Sequence, residues 1–162
     1  MPAKRTIAAL AATAVLVTAA LLAVALRPSS DGSCDEAIVS FSVGGADISF
    51  TCEVADTLQE QRQGLMGRDN LPEDAGMLFV YSEPETLTFW MKDTLIPLDM
   101  VFIAENGSVI NVEEALPEPG ISDSQLTRYY SDGPAKWVVE LNLGTCSEHG
   151  IGPGTGVGIS FF

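Results

Sequence analysis

The sequence predicts a mainly β domain of the α+β kind, a small β-barrel or sandwich with one short helix, preceded by an N-terminal transmembrane helix or signal segment. Three observations carry this. Short apolar runs recur at close spacing from Ile38 to the C-terminus with turn residues between them. Only the stretch after Val54 changes to a helical period. A chain of 162 residues supplies one core, not two.

Residues 1–27 form the first segment. Between Arg5 and Arg27 no charge interrupts "TIAALAATAVLVTAALLAVAL", and about twenty apolar residues rising 1.5 Å each span roughly the 30 Å of a bilayer core. The same stretch reads as a signal peptide if Ala23-Val24-Ala25 is cleaved. In both cases Lys4 and Arg5 stay in the cytoplasm and the rest lies outside, as a domain anchored in the cell membrane or as a secreted one. Residues 28–36, "PSSDGSCDE", are a polar linker, and residues 37–162 form the domain.

Strands are expected near Ile38–Val43 and Ile48–Val54, hinged at Gly44-Gly45. A short helix follows, with Asp56 or Thr57 as cap, Glu60 in its first turn and Gly67 as its stop. Further strands are expected in "GMLFVY", "LTFWM", "DMVFI" and "SVINVEEAL", the last two turning at Asn106-Gly107. Residues 117–135 read as a long ordered loop lying on the barrel. "KWVVELNLG" reads as a strand, "CSEHG" as a turn or one helical turn, and "TGVGISFF" as a closing strand.

The formal net charge is −14, all 22 acidic residues follow the apolar segment, and three of the 8 basic residues lie at or before Arg27. Such a field makes nucleic acid a poor partner, so none is expected. A solvated acidic surface explains the excess, and cation or basic-peptide capture is the sharper reading. No calcium-loop spacing, phosphate loop, dinucleotide fingerprint or serine elbow appears, so no metal or cofactor is expected. Cys34, Cys52 and Cys146 would sit in an oxidising compartment. A Cys34–Cys52 bridge would close a loop contributing about 3 kcal/mol, and pairing with Cys146 stays open.

The blocks "RQGLMGRDNLPEDAGMLFVY", "FWMKDTLIPLDMVFI", "WVVELNLG" and "GIGPGTGV" resemble the domain of unknown function 192 family, from about Ile48 to the C-terminus. The resemblance implies a compact, mostly β domain, often exported or membrane-anchored, and supplies no activity. Where this chain has Asp93, the family usually carries asparagine.

Four groups of residues invite chemistry. With "FWMKD" on a strand, the Pro97 bend would return Asp99 toward Lys92, and Glu140 would join from a neighbouring strand. Such a group is either an ion pair locking the sheet or a set of perturbed groups in a pocket. Met66, Met77, Met91 and Met100 recur beside Phe79, Phe89, Trp90 and Phe102, which reads as core packing before it reads as a Cu(I) site. Arg62 and Arg68 either clamp an anionic ligand or neutralise Asp69, Glu73 and Asp74. Cys146 and His149 are two ligands at most, too few for zinc.

The expected function is a membrane-tethered domain binding a small ligand or peptide in a pocket lined by Trp90, Met91, Met66 and Phe79, with Lys92, Arg68, Asp99 and Glu140 as polar determinants. The alternatives are a structural cell-envelope module without a pocket, and a hydrolase or lyase using Lys92 with Asp99 or Glu140. The reading leans away from an enzyme. The partners expected are the membrane and either a small ligand or an envelope protein.

Overall fold

The computed structural model describes residues 35–162. The apolar segment, most of the polar linker and Cys34 lie outside the described residues, and no described helix is long and apolar enough to cross a membrane. In chain order the elements are β1 (Glu36–Val43), β2 (Ala46–Ala55), α1 (Leu58–Gln63), β3 (Ala75–Glu85), β4 (Thr88–Phe89), β5 (Leu98–Ile103), β6 (Val109–Ala115), β7 (Tyr129–Tyr130), β8 (Ala135–Asn142), α2 (Thr145–His149) and β9 (Gly156–Phe161).

Seven strands form one mixed sheet in the order β6-β5-β8-β3-β2-β1-β9, and β4 pairs with β7 in a separate two-stranded ladder. Only β2 and β3 run parallel. A parallel pair needs a crossover of a dozen residues or more, and the segment carrying α1 supplies it. The two edges of the sheet approach each other where Ser108 bridges Gly156. Gly154 N–H donates to Val109 O at 2.8 Å, and Val157 N–H donates to Gly107 O at 2.7 Å. The sheet therefore curls into a half-barrel.

Alternation along the strands divides the apolar side chains into two cores. One, including Val39, Phe41, Phe50, Cys52, Leu78, Val101, Val139 and Leu141, fills the concave side. The other, including Leu65, Met77, Phe79, Phe89, Met91, Met100 and Phe102, lies on the opposite face under α1 and the loops. All six residues of β5 are buried because both of its faces are covered. The strands at the centre of the sheet thus serve two cores at once.

Three local expectations are corrected. α1 ends at Gly64 and not at Gly67, after a capping box in which Thr57 and Glu60 bond each other's backbone N–H groups. The strand expected over "LTFWM" contracts to Thr88–Phe89, and Lys92 and Asp93 form a turn. Asp93 has φ 50, a left-handed conformation that ends a strand. The helical turn that "CSEHG" allowed is present as α2 between Gly144 and Gly150, so the fold has two short helices and not one.

Candidate functional site

A cleft of about 80 Å³ opens on the face covered by α1, lined by residues that include Gln61, Arg62, Gly64, Met66, Phe79, Tyr81, Thr88, Phe89, Trp90 and Glu140. Each wall has a local cause. Gln61 Nε2–H donates to Val80 O at 2.7 Å and fastens α1 to β3. Gly64 ends the helix at φ 45, a conformation that strains any side chain, and a Cβ there would press on the Phe79 ring at 3.3 Å, so glycine suits the position on both counts. Gly67 N–H donates to Asp93 O at 2.8 Å, tying the segment after α1 to the turn after Trp90. Phe79 and Phe89 meet edge to face at 5.0 Å between centroids. Trp90, 40% exposed, stands at the mouth over the Arg128 guanidinium at 4.4 Å. Arg128 is fixed in turn by donating to the carbonyls of Leu126 and Asp123.

Glu140 forms the floor. It lies on β8 opposite Met77 of β3 and Met100 of β5, so the three side chains share the face that carries the cleft. The residue is 5% exposed. Its carboxyl makes no ion pair among the described residues. No side-chain polar atom sealed inside the described residues lacks a hydrogen-bond partner, so the Glu140 oxygens open onto the cleft. Burial raises its pKa to about 8, because a desolvated carboxylate with no cation beside it is disfavoured. Tyr81, also in the cleft, is pushed up to about 12, first by burial and then by the carboxylates of Glu85 and Glu140.

The other residues singled out in the sequence lie elsewhere. Asp99 does not meet Lys92. In the β5–β8 register Asp99 faces Leu141 while Met100 faces Glu140, so Asp99 and Glu140 occupy opposite faces of the sheet. On the concave side Asp99 is 1% exposed and accepts from Cys146 N–H at 2.8 Å. It thereby caps α2 from a distance, where Gly144 has no side chain to do so. Lys92 projects from its turn and pairs with Asp123. Met91 is buried in the core beneath that turn, and Arg68 pairs through both guanidinium nitrogens with Glu53 on the surface. Met91 and Lys92 border a separate hollow of about 350 Å³ with Leu95, Ile121, Asp123 and Leu126.

Cys52 and Cys146 are buried free thiols. Burial pushes the Cys52 thiol up to about 12. Burial, followed by the Asp99 carboxylate, raises that of Cys146 as well, so neither is a ready thiolate. His149 packs edge-on against Phe50. Among the described residues no three or more His, Cys, Asp or Glu side chains are grouped to hold a metal. Tyr81, Phe89 and Thr88 were not singled out as cleft residues in the sequence. Only the apolar alternation of their strands hinted at them, and that pattern does not say which face carries a cleft.

A family model matches residues 39–159, that of DUF192, described as "Uncharacterized ACR". The chain belongs to the domain of unknown function 192 family. No curated protein matches it. Among solved structures, it is similar to a protein of Sinorhizobium meliloti 1021 provisionally described as a transcription regulator. Identity is 34% and TM-score 0.70, covering 79% of this chain and 96% of that one. It is equally similar to a protein of unknown function from Novosphingobium aromaticivorans DSM 12444, with 33% identity and TM-score 0.70 over 83% of this chain and 91% of that one. Three of the blocks that carry the family resemblance border the cleft: Gly64-Leu65-Met66 and Phe79 from the first, Phe89-Trp90 from the second, and Glu140 from the third.

Proposed function

We propose that this DUF192 domain is a small-ligand binding module, held outside the cytoplasm by its N-terminal apolar segment, with the cleft above Glu140 as the binding site. The observation that supports the reading is Glu140, a residue only 5% exposed whose carboxyl has no ion-pair partner among the described residues and faces a cleft walled by aromatic rings. Burying such a group without a bond costs free energy, and a ligand that supplies the bond recovers it. A hydrolase or lyase built on Lys92 with Asp99 or Glu140 lacks a common site, because the three side chains point to three different places. A role in transcription, as in the description of the Sinorhizobium protein, finds little support in the charge of this chain. The net charge is −14, and Arg68, Lys92 and Lys136 each face a carboxylate, which leaves little positive surface for phosphates.

The test is a nuclear magnetic resonance titration of the ¹⁵N-labelled full-length chain in detergent micelles with a panel of small amides, amines, carboxylates and alcohols. At least one probe is expected to shift the Trp90 indole N–H signal and leave that of Trp137 in place. Thr88 lies exposed at the rim, so Thr88→Phe fills the mouth and is expected to abolish the shift. A panel that leaves Trp90 unmoved, or shifts that persist in Thr88→Phe, contradicts the reading.

A further inference from the structure

The chemistry of the cleft narrows what it binds. Phe79, Phe89, Tyr81 and Trp90 surround a single acid, and aromatic rings around a carboxyl are a favourable setting for an organic cation. One ring already serves that purpose, since the Arg128 guanidinium packs on Trp90. The acidic excess of the whole chain draws cations toward the surface. Resting on the small-ligand reading, we propose that the cleft above Glu140 receives a primary alkylammonium group, whose N–H bonds go to the Glu140 carboxylate and whose alkyl stem lies along Met66 and the aromatic walls.

A primary ammonium is favoured over a quaternary one by the floor itself. A carboxylate with no other donor beside it needs N–H groups to satisfy its lone pairs, and a quaternary centre has none. The volume of about 80 Å³ suits the end of a lysine-like chain or a small free amine, not a whole metabolite. Arg62 on α1, exposed at the rim, and Tyr81 on β3 are the other ionisable groups lining the cleft; around it stand Arg128 and Lys92, both over the Trp90 ring, and Glu85 beside Tyr81. The 88–94 segment contributes Thr88, Phe89, Trp90 and Thr94 to it, and β5 places Met100 beside Glu140, none of which titrates.

Empty, the cleft holds a neutral acid at pH 7, because burial raises Glu140 to about 8. Binding an ammonium ion makes the carboxylate form and sends the Glu140 proton to solvent. Affinity must therefore climb with pH up to about 8, stay level, and fall only where the amine itself loses its proton, near 10. A neutral ligand that accepts the Glu140 proton in a hydrogen bond would instead show a level affinity below about pH 8 and a fall above it.

Isothermal titration calorimetry of the full-length chain in detergent micelles with n-butylammonium, between pH 6 and 9 and in two buffers of different ionisation enthalpy, reads both quantities. The expected result is an affinity that rises about tenfold per pH unit below pH 8, with close to one proton released per ligand at pH 7. Glu140→Gln, which keeps the shape, is expected to lower affinity at least about tenfold at pH 8 and to remove the slope. Tetramethylammonium is expected to bind more weakly. An Nα-acetyl-lysine N-methylamide that binds like butylammonium points to lysine side chains of peptides, whereas one that does not points to free amines, and both support the class. Absent butylammonium binding, a flat or falling pH profile, or undiminished binding by Glu140→Gln overturns it. If N-methylacetamide binds where butylammonium does not, the ammonium class falls and the small-ligand reading stands. If neither binds and the Trp90 signal is silent to the whole panel, both fall.

Discussion

Asp93 follows Lys92 in the turn, and its φ of 50 places it in the left-handed region that asparagine, aspartate and glycine tolerate best. Its backbone carbonyl accepts from Gly67 N–H and so holds the turn against the segment after α1. Asparagine at this position would answer the same conformational demand. Asp93→Asn and Asp93→Gly are therefore expected to leave the urea midpoint nearly unchanged, while Asp93→Ala costs about 1 kcal/mol and Asp93→Val more. A fall in stability for Asp93→Asn equal to that for Asp93→Ala would show that the carboxylate matters for its charge.

At the scale of elements, α2 depends on β5. Five residues with glycine as N-cap form a poor helix on their own, and the acceptor that Gly144 lacks comes from Asp99, 47 residues away in sequence and almost fully buried. Asp99→Ala leaves the Cys146 N–H without its bond and is expected to cost about 2–3 kcal/mol, whereas Asp99→Asn, which keeps an acceptor, costs about 1 kcal/mol or less. Hydrogen exchange should locate the loss in residues 145–149; protection there that is unchanged in Asp99→Ala would refute the capping role. This pairing explains why Asp99 could not be assigned from sequence. Strand alternation told which residues share a face within β5. It did not tell which face of β5 meets which face of β8, since that register is set by long-range pairing. The first hairpin, the start of α1 at Asp56 or Thr57 and the Asn106-Gly107 turn were legible because their causes are local. Met66, Phe79, Trp90 and Glu140 were picked out by their chemistry and do border one cleft, but Lys92, Arg68, Met91 and Asp99 lie outside it, since the Pro97 bend does not bring Asp99 to Lys92 and Arg68 pairs with Glu53.

For the whole molecule, one buried acid ties stability to pH. The unfolded Glu140 releases its proton near the ordinary value of 4.5, while the folded one keeps it up to about 8. Between those values the folded state binds the extra proton, so the Glu140 contribution declines as pH rises from about 4.5 to 8 and is level above that. Glu140→Gln removes this decline and is expected to be the more stable form at pH 9, by a difference on the order of a few kcal/mol. The half-barrel tolerates such a residue at its centre because the carboxyl faces the cleft and not only apolar side chains. The state of that carboxyl in the folded, unliganded protein is thus the point on which both the binding site and the pH dependence rest. A carboxyl ¹³C titration of Glu140 in the full-length chain, assigned by comparison with Glu140→Gln, measures it directly. A midpoint near 8 that drops when an alkylammonium ligand is added is expected, and a midpoint close to 4.5, unmoved by ligand, would contradict the assignment of Glu140 as a buried neutral acid.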